Sequence, residues 1–190
     1  MWPGDELCSS LYERGLDCHA TTLPRHSFRL AAHVSELREK LTQAMDGRLP
    51  AMFGLELLRV THGEVDARLE LRPEHLAPNN FLHAATVIAI ADSSCGMGCI
   101  ATLPEEASGF TTIELKTNFI GTATEGALRC EARMAHGGSR TQVWDASVSR
   151  EADDRVIALF RCTQFILPAD DPRTEQQRMR RKEIDEEVNR

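Results

Sequence analysis

The sequence predicts an α+β fold in which an antiparallel sheet wraps around one long central helix. Three observations lead there. The run from Phe81 to Leu103 is apolar on almost every side, the pattern of a helix buried inside a fold. Two strand-like runs precede it and four follow. The gaps between those strands are short and rich in turn residues, which favours antiparallel neighbours.

Taken in order, residues 1–24 show no clear periodicity and are expected to form a loosely ordered extension. Within 25–50, the residues Leu30, Val34, Leu37, Leu41 and Met45 recur at helical intervals, which predicts an amphipathic helix packed on the edge of the domain. Gly47 and Pro50 are expected to stop it. The domain proper is expected to span 51–168. Phe53–Thr61 reads as a strand, His62-Gly63 as a turn, and Val65, Ala67, Leu69 and Leu71 alternate with polar residues as in a half-buried strand. Pro78-Asn79-Asn80 is a loop that leads into the central helix, and Pro104 closes that helix. The runs Phe110–Ile120, Ala127–Ala135, Arg140–Arg150 and Arg155–Leu167 then form a meander, separated by Glu125-Gly126, His136-Gly137-Gly138 and Asp153-Asp154. Residues 169–190 form a charged tail, read as an exposed helix or as disorder.

Composition removes several function classes. A hydrophobic fraction of 42% among 190 residues supports a real core, and the formal net charge of −7 is the wrong sign for a phosphate-binding nucleic-acid surface. No apolar run approaches the roughly 20 residues that span a bilayer. Met1–Ser10 carries two acids and no basic stretch, so it does not read as an export signal, and a cytoplasmic location is expected. The cysteines (Cys8, Cys18, Cys95, Cys99, Cys130 and Cys162) include no CxxC pair, and no histidine is spaced to complete a metal site with them. Free thiols and no metal or other cofactor are expected.

Asp92 is the residue that composition alone singles out. A carboxylate inside an apolar helix is either paired or functional. Near it, Leu76–Ala123 carries a recognisable pattern: His83-Ala84-Ala85 at the helix entry, Ala91-Asp92 nine residues on from His83, and the strand Thr112-Ile113-Glu114-Leu115-Lys116-Thr117-Asn118-Phe119 running to Ala123. This resembles the hotdog-fold acyl-CoA thioesterases of the phenylacetic-acid-degradation type, over roughly Leu55–Leu167. That family typically has His-Gly-Gly where this chain has His83-Ala84-Ala85, and often an asparagine where this chain has Ala77. Asn79 and Asn80 lie close enough to stand in for it.

The resemblance implies hydrolysis of an acyl-CoA or aryl-CoA thioester by a homodimer or by a dimer of such dimers. It implies Asp92 as general base or nucleophile, Thr112 as a hydroxyl that helps place water, and His83 as a residue that orients the thioester or the catalytic loop. Ala84 would polarise the carbonyl through its backbone N–H at the positive end of the helix, which needs no glycine. His136-Gly137-Gly138-Ser139-Arg140 resembles the family's coenzyme A region, where Arg140 would pair with a phosphate beside Ser139 and the glycine N–H groups of Gly137 and Gly138. Glu114, Lys116 and Asn118 share one strand face and are read as structural.

One inference needs no family. Nine residues at ~100° each set His83 and Asp92 on opposite sides of one helix, ~13 Å apart along its axis. One chain cannot bring both to one carbonyl, whereas two antiparallel copies can. Two other functions fit the same sequence: a non-catalytic acyl-CoA-binding protein of this fold, and a dehydratase or hydratase of this fold.

Overall fold

The computed structural model describes residues 25–171, with side chains from Val34 onward. The expectations for 1–24, for Cys8 and Cys18, and for the tail beyond 171 lie outside the described residues. Two compact units divide at His33/Val34, and the domain belongs to the second.

Helix α1 (Arg25–Met45) ends where Gly47 adopts a left-handed φ of +66°. Its residues Leu41 and Met45 are buried in the core. Pro50 does not stop this helix. It opens a separate short turn, α2 (Leu49–Met52), where its missing N–H falls at a position that has no intrahelical acceptor. Strands β1 (Leu55–Thr61) and β2 (Glu64–Glu70) form a hairpin through Gly63, whose φ of +81° suits glycine. A one-turn 3₁₀ segment, Pro73–His75, leads to a tight loop and then to helix α3 (Ala84–Ala101). Four long strands complete the domain: β3 (Ala107–Phe119), β4 (Ala127–Gly137), β5 (Thr141–Arg150) and β6 (Val156–Pro168).

The strands make one six-stranded sheet in the order β1-β2-β4-β5-β6-β3, antiparallel throughout. Only β4, β5 and β6 form the expected meander. Strand β3 crosses to the far edge and pairs with β6, while β4 pairs with β2. Alternation along a strand reports which face is buried but not which strand lies alongside, so the sequence could not distinguish these orders.

Helix α3 lies across the inner face of the sheet and packs on all six strands. Thr86, Val87, Ile90, Ala91, Ser94, Cys95, Gly98 and Cys99 turn toward the sheet and are buried. The closest approach is at Gly98. A Cβ there would lie 2.3 Å from the Trp144 ring, so only glycine admits the indole. Trp144 is fully buried, and its Nε1–H donates to Gln142 Oε1 at 2.9 Å. The opposite side of α3 holds Ile88, Ala89, Asp92, Ser93 and Met97, which are only partly buried. Contrary to the expectation that no apolar run is long enough to span a bilayer, α3 has the length and composition to do so; half of it is buried against the sheet, as in a core helix.

Strand β3 has one paired edge and one bare edge. A bulge between Thr112 and Glu114 shifts its phase. Before the bulge Phe110 and Thr112 point toward α3, and after it Leu115, Thr117 and Phe119 take over the inward positions, opposite Cys162, Phe160 and Ala158. Glu114, Lys116 and Asn118 share the outer face. Ile113, Leu115, Phe119 and Ile120 remain exposed.

Candidate active site

The entry to α3 is built by His75, which the sequence reading passed over. His75 is buried, stacks on Phe53 at 5.9 Å between ring centroids, and accepts the Arg72 backbone N–H on Nδ1 at 3.1 Å. Burial, aided by the nearby Arg72 charge, holds its pKa below the usual imidazole value and so keeps it neutral. Its carbonyl then accepts two bonds, from His83 N–H at 3.0 Å and from the Thr86 hydroxyl at 2.9 Å. Those two bonds fix the first turn of α3. The signal available in the sequence was weak: one histidine after a proline, beside Leu71 and Leu76.

His83 is the N-cap of α3. Its Nδ1 accepts the Ala85 N–H at 3.0 Å. An accepting Nδ1 carries no proton, so the neutral ring bears its proton on Nε2. The side chain is exposed, which leaves that Nε2–H outside the cap. Ala84, the first helical residue, has its N–H outside the helical ladder as well. Two donors therefore stand together at the positive end of α3.

The loop before it is a tight turn. Asn80 N–H donates to Ala77 O at 2.8 Å, and Ala77 N–H to Phe81 O at 2.7 Å. Asn80 takes a left-handed φ of +64°, and Asn79 Oδ1 accepts the Phe81 N–H at 3.3 Å. Both asparagines thus shape the loop, and both are exposed.

Asp92 lies on the partly covered side of α3, under β3. Its Oδ1 is buried and has no hydrogen-bond partner among the described residues. Burial pushes its pKa above the ordinary carboxylate range, and a hydrogen bond from the Thr112 hydroxyl opposes that rise. Strand and helix come close enough for this because residue 96 is glycine: a Cβ there would sit 3.2 Å from the Phe110 ring. Thr112 Oγ1 also lies 2.9 Å from Oε1 of Gln164, a fully buried residue of β6 that the sequence reading did not single out. Its signal was its position, a polar residue between Cys162 and Ile166 on the inward side of an apolar strand.

The predicted residues thus fall into three places in one chain. His83, Ala84, Asn79 and Asn80 stand at the start of α3, and Asp92 with Thr112 at its middle. Gly137, Gly138, Ser139 and Arg140 form the β4–β5 turn, near the far end of α3. Arg140 and Ser139 line a cleft of ≈180 Å³ with Pro104, Glu106 and Ile166. Gly138 N–H is already used by Thr141 O at 2.9 Å, so it is not available to a phosphate, and a Cβ on Gly137 would meet Met134 Sδ at 2.9 Å. These glycines serve the turn and its packing. No cluster of three or more His, Cys, Asp or Glu side chains among the described residues could hold a metal.

Residues 79–157 match the family model described as the thioesterase superfamily. The matched stretch runs from the loop before α3 into β6 and contains every candidate residue. Over that stretch the domain is similar to the thioesterase superfamily. The domain's sheet wrapped on one helix is the hotdog fold, and the family it resembles is one of thioester hydrolases. A 1,4-dihydroxy-2-naphthoyl-CoA hydrolase of Listeria monocytogenes is 24% identical over 115 residues, 60% of this chain and 92% of that protein. Among solved structures, a thioesterase of Haemophilus influenzae superposes with a TM-score of 0.66 at 17% identity, covering 71% of this chain and 93% of its own. A thioesterase variant from Pseudomonas aeruginosa gives 0.65 at 20% identity, covering 69% and 94%. At these identities the two structures speak for the fold alone.

Proposed function

We propose that this domain hydrolyses the thioester of an acyl-CoA or aryl-CoA, as a homodimer whose two active sites are shared between chains. The observation that carries the reading is the Asp92 carboxylate, desolvated, with one oxygen lacking a partner among the described residues, on the side of α3 that the sheet covers only in part. In each site Asp92 and Thr112 come from one chain, and the partner's His83 and the partner's Ala84 face them. The thioester carbonyl accepts the Ala84 N–H and the His83 Nε2–H. Negative charge grows on that oxygen as the tetrahedral intermediate forms, at the positive end of the helix. As general base, Asp92 takes a proton from the attacking water and returns it to the departing thiolate, giving the free acid and coenzyme A. As nucleophile, it forms an anhydride that water then cleaves to the same products. The likeness to a naphthoyl-CoA hydrolase and the spacing of His83 and Asp92, as in the phenylacetic-acid-degradation type, support a coenzyme A ester as substrate. Free thiols at Cys95, Cys99, Cys130 and Cys162 fit a reducing compartment such as the cytoplasm.

A second copy is the occupant best suited to the uncovered side of α3 and to the exposed apolar residues of β3. The decisive experiment is release of free thiol from a panel of acyl-CoAs by wild type and Asp92→Asn. Loss of turnover by ~10²–10⁴-fold in a folded variant is expected, and near-normal kcat on the best substrate would overturn the assignment. Sharing is tested by mixing Asp92→Asn with an Ala84→Trp protein under subunit exchange. Half the dimers are mixed and each holds one intact site of two, so about a quarter of wild-type activity should return. Folded, exchanging parents that restore nothing would exclude shared sites.

A further inference from the structure

Two acceptors compete for one proton at the centre of this site. The Thr112 hydroxyl has a single hydrogen, which Asp92 attracts as a carboxylate, while Gln164 Oε1 lies 2.9 Å from the same oxygen and can only accept. Behind Gln164, its Nε2 lies 3.2 Å from Cys162 Sγ, a weak acceptor. In this arrangement every group is poorly served. The amide N–H faces a sulfur, Thr112 gives its proton to Gln164, and Asp92 Oδ1 has nothing.

The two ends of a carboxamide occupy the same volume, so a half-turn about the last bond exchanges them without moving any other atom. After it, Nε2–H donates to Thr112 Oγ1, Oε1 accepts the Cys162 S–H, and the Thr112 proton is released to Asp92. Cys95 extends the chain. Its hydrogen bond with Cys162, together with burial, pushes the Cys95 thiol well above the ordinary range, so it stays protonated and able to donate. All donors then point one way, from Cys95 through Cys162, Gln164 and Thr112 to the carboxylate. In a buried polar network each unmade bond costs the desolvation of that group, so the arrangement that makes more of these bonds is favoured.

We propose that Gln164 is a positioning residue for thioester hydrolysis: its amide N–H donates to Thr112 and so commits the one Thr112 hydroxyl proton to Asp92. The proposal rests on the reading of Asp92 given above. Its consequence is that the threonine oxygen cannot turn away, so the carboxylate keeps one oriented donor and leaves its other oxygen toward water or the thioester carbon. The inward positions of β3 (Phe110, Thr112, Leu115), β5 (Gln142, Trp144, Ala146) and β6 (Phe160, Cys162, Gln164) are uncharged. Among the described residues of one chain, the titratable groups near Asp92 are the Cys95 thiol on its own helix and, next to Cys95, the Cys162 thiol; in the shared site the partner's His83 faces Asp92 as well.

The test is the pH profile of kcat/KM for Gln164→Met, a side chain of similar volume with no amide. Removing the donor frees Thr112, weakens its bond to the charged form of Asp92, and moves the acid limb to higher pH. At neutral pH kcat should fall about tenfold, the weight of one hydrogen bond to a charged group, and recover in part as pH rises. Thr112→Val should move the limb in the same direction, and the double variant should move it no further than either alone. A profile that keeps its acid limb while only the rate falls would reduce Gln164 to packing and overturn the proposal. Should Gln164→Met not fold, NMR of the wild type decides. The Gln164 side-chain amide protons, identified by proximity to the Thr112 methyl, should titrate with the acid limb and stop doing so in Asp92→Asn. Protons that ignore Asp92 would also overturn it. If Asp92→Asn itself is active, the functional reading has failed. If Asp92→Asn is inactive and the Gln164→Met limb does not move, this inference alone has failed.

Discussion

The two sides of α3 follow opposite rules. On the sheet side the packing is closed: Trp144 lies against Gly98, Cys95 and Cys99 are fully buried, and burial first, then Cys162, pushes the Cys99 thiol up to about 12. Its polar groups are satisfied locally, as when the Ser94 hydroxyl donates to Ile90 O at 2.7 Å. On the other side, four residues away from Gly96, a carboxylate is partly desolvated with an oxygen lacking a partner. One side of the helix is organised for stability and the other holds a cost to stability in the form of a reactive group. In a small fold, the place to look for chemistry is the polar atom that packing does not explain.

Four measurements test whether the two sides of α3 differ in this way. The largest effect is expected at Asp92. Asp92→Asn should lose turnover as stated above and at the same time gain stability at neutral pH. The sign follows from the direction of the shift. A carboxyl whose folded pKa is raised destabilises the fold when ionised, above that pKa, and the penalty is relieved as pH falls through it. Asparagine removes the penalty, so Tm should rise, by about 2–4 °C for each kcal/mol relieved. A folded variant with lower Tm and normal activity would place Asp92 among ordinary structural carboxylates. On the other side of the helix, Gly98→Ala should do the reverse. A methyl 2.3 Å from the Trp144 ring forces the indole or the helix to move, at a cost of about 1–3 kcal/mol or more in denaturant unfolding, while active molecules keep their kcat. Unchanged stability would mean that the Trp144 contact is not tight.

The third effect is on pH dependence. With burial raising the Asp92 pKa and Thr112 opposing, activity should fall as pH drops, through an acid limb above the usual carboxylate range. Stopped assays from pH 4 to 8 read this directly, and a limb at or below about 4 would show the carboxylate to be well solvated. The smallest effect belongs to the turn beyond the helix. Arg140→Ala should raise KM for coenzyme A esters more than for truncated thioesters without the nucleotide, by a few-fold. Equal effects on both would make Arg140 part of the turn alone, and the presence of Glu106 in the same cleft sharpens that question.

Much of this was legible in the residues. The apolar run ending at Pro104 read as a core helix, and the alternation of Val65, Ala67 and Leu69 gave β2 its inward face. Asp92 stood out because charge is costly in such a helix. What could not be read were features that depend on two distant segments. The placement of β3 beside β6 is a pairing choice that alternation leaves open. The bulge at Ile113, which re-phases Leu115 and Thr117, follows from the match between β3 and β6 and leaves no mark in either strand alone. Gln164 becomes meaningful only once Thr112 is known to lie across from it. His75 and its carbonyl matter only because the chain doubles back to bring His83 N–H to it.

Strand β3 carries one more consequence. Thirteen residues of extended backbone present a bare edge, with Ile113, Leu115, Phe119 and Ile120 uncovered beside it. Such an edge is a template for any other extended chain, and it has no proline or inward-pointing charge to discourage one. The hazard is greatest just after synthesis, when copies are few and a proper cover is scarce. Substitutions along this strand should therefore register first as insoluble protein or a short cellular lifetime, well before helix content or the melting temperature of the surviving molecules changes.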